Sequence, residues 1–218
     1  MNDKTISYLS SLLPPSNDWA SVLEKQAEID RVPIMDKLGM NFLMQQIRIA
    51  KPKKILEIGT AIGYSALCML EASPSASIVT IEKDETRYQQ ALENIKQRNK
   101  QEQIEVILGD AQEVMEQLIT TDASFDFVFI DAAKGQYRRY FELADQLLTN
   151  EGIIASDNVL FKNYVAEPER ASKRHKKIAE KLQEYNRFLM NHPHYTTAIV
   201  PIGDGVALSL KQDKNSTT

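Results

Sequence analysis

The chain has 218 residues, of which 43% are hydrophobic, with a formal net charge of -4 and a single cysteine. This length and apolar content predict one domain with a substantial core, and the negative balance disfavours a protein that coats nucleic acid through its overall charge. A lone Cys68 excludes an internal disulfide, and the lack of a signal-peptide pattern or a bilayer-length apolar run predicts a cytoplasmic protein without membrane contact.

The first 50 residues predict an N-terminal helical extension. Apolar residues recur at spacings of three and four in residues 18–30 and 33–50, which is the pattern of amphipathic helices. Pro14 and Pro15 separate these two helices from a short leading helix.

Residues 51–212 predict an α/β core. Short β-branched runs alternate with helical segments, as is typical of repeated βαβ units in a parallel sheet. The predicted strands are residues 54–58, 77–82, 104–108, 125–130 and 152–156. The predicted helices are residues 64–71, 85–98, 111–119, 137–148 and 170–191.

The end of the chain predicts an antiparallel hairpin of residues 196–201 and 206–211, followed by a frayed tail at residues 215–218. The whole chain, residues 1–218, is therefore interpreted as a single domain. Its predicted architecture is Rossmann-like, with a seven-stranded, mostly parallel sheet.

A glycine-bracketed turn follows the first strand of the core. The strand ends near Glu57 and runs into Gly59, and Gly63 precedes the next helix. Such a turn lets the backbone approach a ligand closely. It lacks the GxGxxG spacing of dinucleotide sites and the Lys-Ser/Thr pair of a phosphate-binding loop. Taken alone, the motif also fits an ordinary strand–helix turn.

Three acidic residues, Glu57, Glu82 and Asp110, end three successive predicted strands. Glu82 is a candidate acceptor for ribose hydroxyls, and Asp110 is a candidate contact for an adenine amino group. This edge would repel a pyrophosphate but attract the amino group and sulfonium of S-adenosylmethionine (SAM). The pattern therefore favours SAM, although helix capping is the alternative for any one of the three.

Two carboxylates and an amide follow the next two predicted strands: Asp131 after the fourth, and Asp157 and Asn158 after the fifth. Hard oxygen ligands of this kind suit Mg²⁺, and no cluster of histidines or cysteines indicates zinc. An octahedral ion bound by three protein ligands keeps room for two adjacent substrate oxygens. A simple turn after a strand is the alternative for the pair at 157–158.

Lys134 lies three residues beyond Asp131. A bound metal lowers the pKa of a coordinated hydroxyl, and Lys134 is close enough to take the proton if the dication depresses its own pKa. The alternative is a solvated loop lysine.

In combination these motifs resemble the metal-dependent, catechol O-methyltransferase-like family that includes the caffeoyl-CoA O-methyltransferases. The resemblance spans nearly the whole chain and is carried by residues 57–65, 81–82, 109–111, 129–134, 157–159 and 203–205. It implies a class I methyltransferase fold and a homodimer. The implied metal ligands are Asp131, Asp157 and Asn158, and the implied catalytic base is Lys134. The implied SAM pocket consists of Met35, Glu57, Gly59, Thr60, Gly63, Tyr64, Ser65, Glu82, Asp110, Ala111 and Asp131.

Within the family, residues 32–35, 134–137, 157–162 and 184–193 are most similar to bacterial enzymes that methylate 5-hydroxyuridine at the tRNA wobble position. A 5-hydroxyuracil presents its 5-hydroxyl and 4-carbonyl oxygens side by side, as a catechol presents two hydroxyls, so one metal can chelate either. The resemblance therefore implies a tRNA anticodon stem-loop as the partner. A small catechol or phenolic substrate is the alternative.

Basic residues are compatible with an RNA partner. Five cluster after the metal motif and three more lie near the predicted pocket: Arg170, Lys173, Arg174, Lys176, Lys177, Arg138, Arg139 and Lys162. They are candidates to meet RNA phosphates, and a solvated helix face balanced by acids is the alternative. Tyr137 or Tyr140 is a candidate to stack on a splayed-out base, with a core position as the alternative.

Two other classes of function fit less well. A nicotinamide-dependent dehydrogenase is disfavoured by the missing GxGxxG pattern. A binding module without catalysis leaves the ligand set and Lys134 unexplained. The sequence therefore predicts an enzyme, a SAM- and Mg²⁺-dependent O-methyltransferase.

Overall fold

The computed structural model describes residues 3–212, which form eight α-helices and seven β-strands. The helices are α1 (Asp3–Leu12), α2 (Asp18–Asp30), α3 (Lys37–Ala50), α4 (Tyr64–Ala72), α5 (Glu85–Gln97), α6 (Ala111–Thr120), α7 (Tyr137–Leu147) and α8 (Lys173–Met190). The strands are β1 (Lys54–Ile58), β2 (Ser77–Glu82), β3 (Ile104–Leu108), β4 (Phe125–Ile130), β5 (Leu148–Ser156), β6 (Tyr195–Val200) and β7 (Val206–Lys211). Short 3₁₀ turns at Lys134–Gln136 and Pro168–Arg170 precede α7 and α8. The frayed tail predicted for residues 215–218 lies outside the described residues.

The strands form one sheet in the order β3-β2-β1-β4-β5-β7-β6. Neighbours among β1 to β5 are parallel, whereas β7 is antiparallel to both β5 and β6. The predicted α/β class, mostly parallel sheet and C-terminal antiparallel hairpin are therefore confirmed. From β1 the chain moves outward to β3 and then returns to β4 on the other side. Open α/β sheets bind ligands at such a switch point, outside the carboxyl ends of the strands.

Helices cover both faces of the sheet because successive strand residues point to opposite sides. In β4, Phe127 and Phe129 join one buried cluster, whereas Val128 and Ile130 join the other. Helices α2 to α5 pack into the first cluster, and α6 to α8 pack into the second. Within residues 3–212, none of the helices has both the length and the apolar character that crossing a bilayer requires.

The sequence pattern predicted that helix α3 begins at residue 33, but it begins at Lys37. The reason is Asp36, whose Oδ1 accepts hydrogen bonds from the backbone N–H groups of Leu38 (3.0 Å) and Gly39 (3.1 Å) and so caps the helix. Residues 32–36 consequently run as an irregular segment toward the ligand edge of the sheet.

Two further boundaries differ from the predicted ones. β5 begins at Leu148 instead of residue 152, directly after α7, and its pairing with β4 shifts register between Phe125 and Phe127. Helix α8 begins at Lys173 rather than residue 170, because the Ser172 hydroxyl accepts the backbone N–H of His175 and caps the helix. The start of α8 is thus set by a local hydrogen bond and the start of β5 by pairing of Leu148 with Phe125 of β4, and apolar periodicity is insensitive to both.

Candidate active site

A cavity of about 790 Å³ opens at the carboxyl ends of the central strands. Its wall brings together most of the predicted site residues: Met35, Gly59, Thr60, Tyr64, Ser65, Glu82, Asp110, Ala111, Asp131, Lys134, Asp157 and Asn158. Two predicted cofactor residues, Glu57 and Gly63, lie behind this wall. The residues predicted for SAM and those predicted for the metal thus share one continuous space.

Glu57 is completely buried. Its carboxylate accepts hydrogen bonds from the hydroxyls of Ser65 and Thr80, the latter at 2.6 Å, and Thr80 Oγ1 is also 2.6 Å from Thr60 Oγ1. Burial raises the pKa of Glu57 to about 8, against the effect of the two hydroxyls. Because Ser65 and Thr60 line the cavity, Glu57 is linked to the ligand space through hydroxyl groups.

Glu82 holds the glycine turn from the end of β2. Its carboxylate accepts the backbone N–H groups of Ala61 (2.8 Å), Lys83 (2.9 Å) and Asp84 (2.9 Å). Each carboxylate oxygen has more than one lone pair, so these bonds leave acceptor capacity for the hydroxyls of a ligand. The side chain can therefore organise the turn and bind at the same time.

Asp110 caps a helix, as the alternative interpretation of the acidic residues proposed. Its Oδ1 accepts the backbone N–H of Gln112 at 2.9 Å at the start of α6. Asp110 nevertheless lines the cavity beside Ala111, and a carboxylate has a second oxygen for a ligand. The capping role and a ligand-binding role are therefore compatible.

Gly59 allows the ends of β1 and β4 to meet closely. Its φ is 104°, and a Cβ at this position would lie 2.0 Å from the carbonyl oxygen of Asp131. Gly63 has a φ of 82° at the N-terminus of α4, where a Cβ would stay in ordinary contact with Ala91 at 3.5 Å. Gly59 thus satisfies both a steric and a conformational requirement, whereas Gly63 satisfies a conformational one.

Asp131 and Asp157 lie next to each other because Ile130 of β4 pairs with Ser156 of β5. Asp157 is 3% exposed, and its Oδ1 accepts the backbone N–H of Asn158 at 2.7 Å. Burial raises the pKa of both carboxyls, and repulsion by Asp131 raises that of Asp157 further. A cation bound between the two would relieve this repulsion.

Lys134 brings a positive charge to the same place. Its Nζ donates a hydrogen bond of 2.7 Å to Oδ1 of Asn158, and its charge lowers the pKa of both Asp131 and Asp157. Asn158 has a left-handed φ of 56°, which asparagine adopts more readily than most residues. Two carboxylates and an amide oxygen thus lie in the same part of the cavity as a positive charge, and this donor set fits Mg²⁺.

Phe161 is a cavity residue that the sequence analysis missed. Its ring lies edge-on to the rings of Tyr164 and His175, at centroid distances of 6.0 and 5.5 Å, and Lys134 Nζ is 5.7 Å from its centroid. An aromatic residue after a strand gives no sign of whether it faces a core or a cavity. Its position three residues after Asn158 is the signal that would have identified it.

The Gly203-Asp204-Gly205 turn between β6 and β7 supports the loop that carries Phe161. The carbonyl oxygen of Asp204 accepts the backbone N–H groups of Leu160 (2.8 Å) and Phe161 (3.0 Å). A Cβ at Gly205 would lie 2.4 Å from Cγ of Leu160. This motif of the sequence therefore holds in place the part of the cavity wall that contains Phe161.

The predicted basic residues fall into two groups. The first group pairs with carboxylates: Arg138 with Glu142 at 3.0 Å, Arg139 with Glu116 at 2.6 Å, and Arg170 with Glu167 at 2.5 Å. The acid-balanced surface, which was the alternative interpretation, describes this group. The second group, Lys162, Lys173, Arg174, Lys176 and Lys177, is exposed.

The two candidate stacking tyrosines occupy different environments. Tyr137 is 1% exposed and belongs to the core, so it cannot stack on a base. Tyr140 lines the cavity, and its hydroxyl donates a hydrogen bond to Gln136.

Known proteins are similar to this chain in sequence and in fold. Residues 23–212 match the family model described as O-methyltransferase. A caffeoyl-CoA O-methyltransferase of Populus kitakamiensis is 31% identical over 172 residues, covering 77% of this chain and 73% of the relative. A Staphylococcus aureus crystal structure, provisionally described as a caffeoyl-CoA O-methyltransferase, has a TM-score of 0.88 and 38% identity and covers 96% of this chain and 100% of that one. An O-methyltransferase from Bacillus cereus, solved in complex with SAH, has a TM-score of 0.82 and 25% identity, with coverage of 94% and 96%.

Proposed function

Because the chain belongs to the O-methyltransferase family of SAM-dependent enzymes, we propose that it uses Mg²⁺ to methylate a hydroxyl that has a second oxygen beside it. The acceptor that we propose is 5-hydroxyuridine at the wobble position of a tRNA anticodon stem-loop, which becomes 5-methoxyuridine. One observation carries the proposal: Asp131, Asp157 and Asn158 line one cavity with Lys134, which is hydrogen-bonded to Asn158, and Glu82 and Asp110 line the same cavity.

The acidic cavity wall suits SAM, which carries positive charge on its amino group and sulfonium. Glu82 would accept hydrogen bonds from the ribose hydroxyls, and Asp110, two strands from β1 in the sheet, would meet the adenine end. Ser65 and Asp131 line the cavity near the switch point and would bind the amino-acid end. Glu57 accepts a hydrogen bond from the Ser65 hydroxyl and would therefore orient this hydroxyl toward the ligand.

Asp131, Asp157 and Asn158 would hold the metal. When bound, Mg²⁺ would lower the pKa of the acceptor hydroxyl and orient its two oxygens. Lys134 would then take the hydroxyl proton at Nζ, since its hydrogen bond to Asn158 keeps this atom within reach of the same ligands. This role requires the neutral form of the Lys134 amine. The acceptor oxygen forms a bond to the SAM methyl carbon as the S–CH₃ bond breaks, releasing S-adenosylhomocysteine.

Helix α8 supports an RNA acceptor. Its first two turns carry Lys173, Arg174, Lys176 and Lys177, and its first turn has no acidic residue. Positive charge at a helix N-terminus is unfavourable, because it opposes the macrodipole. Phosphate groups would offset this cost. His175, in the same turns, packs against Phe161 of the cavity wall at 5.5 Å between ring centroids, so the basic surface adjoins the cavity.

A small catechol or phenolic compound is the second candidate acceptor. The observation that favours it is the caffeoyl-CoA O-methyltransferase activity in the name of the Populus relative. Chelation of two adjacent oxygens fits this acceptor as well as it fits a hydroxylated uracil.

We further propose a homodimer formed through the N-terminal helices. Tyr8 and Leu12 of α1 are 63% and 61% exposed, and Val22 and Ile29 of α2 are 61% and 79% exposed. Large apolar side chains exposed on neighbouring surface helices are candidates for a protein contact when they form one patch. Light scattering of the purified protein measures its mass in solution, and a monomeric mass would contradict the proposal.

Mass spectrometry of tRNA nucleosides from cells that lack the protein tests the proposed acceptor. We expect 5-methoxyuridine to be lost and 5-hydroxyuridine to accumulate, and the wild-type gene to reverse both changes. The Asp157→Asn variant serves as the matched control and should fail to reverse them. Unchanged 5-methoxyuridine in the deletion strain would reject the tRNA acceptor and leave the phenolic one.

A further inference from the structure

Tyr137 carries a buried hydroxyl that the proposed mechanism does not use. The residue is the first of α7 and follows Asp131 by six positions. Its side chain is 1% exposed, and its hydroxyl has no hydrogen-bond partner within residues 3–212. Buried polar groups in native proteins are nearly always paired, so an unpaired one calls for an explanation.

The surroundings of this hydroxyl point to the metal ligands. After burial, the largest influences on the phenol are the negative charges of Asp131 and then Asp157, which raise its pKa and so keep it a hydrogen-bond donor. The backbone N–H of Ala132 also acts on it, without reaching the geometry of a hydrogen bond. Tyr137 also begins α7 directly after the Lys134–Gln136 turn, which places the residue beside the segment that follows Asp131.

The ring of Tyr137 is held firmly. It packs edge-on against Tyr185 at 5.6 Å between centroids, and the Tyr185 hydroxyl is 2.7 Å from Oγ of Ser156. Ser156 directly precedes Asp157. Tyr137 is thus held by a chain of contacts that leads to the end of β5 beside Asp157, and a hydroxyl on so rigid a support can set the orientation of a neighbour.

We propose that Tyr137 is a positioning residue for the metal ion and that its hydroxyl donates a hydrogen bond to the carboxylate of Asp131 when the ion is bound. The inference rests on the proposed Mg²⁺ dependence. A carboxylate that binds a metal through one oxygen is commonly oriented by a donor to the other. An ionised carboxylate is a stronger hydrogen-bond acceptor than a neutral group.

Tyr137→Phe removes only the unpaired oxygen, so it separates this role from a structural one. We expect the Kd for Mg²⁺ alone, measured by titration calorimetry, to rise about tenfold. The Kd for S-adenosylhomocysteine should stay at its wild-type value. The melting temperature in EDTA should equal or exceed that of the wild type, because no existing hydrogen bond is lost. Tyr195→Phe is the matched control: it removes another buried hydroxyl, which donates to Asp145 at 2.7 Å, and should leave the Mg²⁺ affinity unchanged.

Three outcomes would overturn the inference in distinguishable ways. An unchanged Kd for Mg²⁺ in Tyr137→Phe would reject the positioning role and leave the proposed function standing. A lower melting temperature in EDTA together with weaker SAH binding would assign Tyr137 a structural role instead. Absence of Mg²⁺ binding by the wild-type protein would reject the proposed metal dependence itself.

Discussion

Glu57 is a carboxyl group that water does not reach, and its titration therefore affects stability. Its pKa is raised from 4.5 to about 8 by burial. A carboxyl whose folded-state pKa is raised contributes stability that is present below the unfolded pKa and is lost as the pH rises through the folded one. The melting temperature of the free protein in EDTA should therefore fall as the pH rises from about 4.5 to about 8, with a free-energy change on the order of 5 kcal/mol at most.

Glu57→Gln keeps the shape of the side chain and removes its charge, so it should flatten this dependence. Asp131 and Asp157 have pKa values shifted in the same direction and remain in the variant, so the slope should shrink without vanishing. Scanning calorimetry in EDTA across the pH series measures both proteins. Equal slopes would show that Glu57 does not titrate as described.

At the scale of residues, the sequence predicted the positions of those site residues that directly follow a strand. Asp131, Asp157 and Asn158 were predictable as neighbours because consecutive parallel strands deliver their last residues to one edge. The position of Glu57 behind Ser65 was not predictable, since apolar periodicity does not tell which strand residue faces a ligand. The hydrogen bond from Lys134 to Asn158 joins side chains that are 24 residues apart, and no local pattern predicts such a contact.

Helix α8 is the element whose charges bear on the acceptor. Arg174 and Lys177 are exposed on its first two turns. If they neutralise RNA phosphates, the double change Arg174→Gln and Lys177→Gln should raise the KM for a hydroxylated tRNA. It should also make the slope of log kcat/KM against log salt less negative by about 1 to 2. Activity on a small catechol should stay the same.

A matched control is available on two helices that cover the other face of the sheet from α8. Lys25 of α2 and Lys96 of α5 are exposed and do not line the cavity, so changing both to Gln removes the same charge elsewhere. The control should keep the wild-type salt slope. Equal slopes in all three proteins would contradict an RNA contact by α8.

At the scale of elements, the strands and helices of the core were predicted within a few residues, because the βαβ pattern alternates clearly. Two of the three larger differences occur where a single hydrogen-bonding side chain sets the start of a helix, and the third is the early start of β5. Asp36 delays α3 and Ser172 delays α8. Capping of this kind depends on backbone geometry around one residue, whereas the sequence pattern averages over several.

At the scale of the whole molecule, two groups of acidic residues lie on either side of the switch point of one sheet. The order β3-β2-β1-β4-β5 sets Glu82 and Asp110 on one side of β1 and the pair Asp131 and Asp157 on the other. A methyl donor and a chelated acceptor can therefore meet above β1 and β4. Nothing in this arrangement distinguishes a uracil from a catechol, which is why the topology was predictable and the acceptor was not.

The most direct test is methyl transfer from SAM to an anticodon stem-loop that contains 5-hydroxyuridine, measured in EDTA and across a Mg²⁺ titration with the product identified by mass spectrometry. We expect no transfer in EDTA, recovery with Mg²⁺, and 5-methoxyuridine as the product. Full activity in EDTA would contradict the role of Asp131, Asp157 and Asn158 as metal ligands. Methylation of a catechol without any methylation of the stem-loop would contradict the tRNA acceptor.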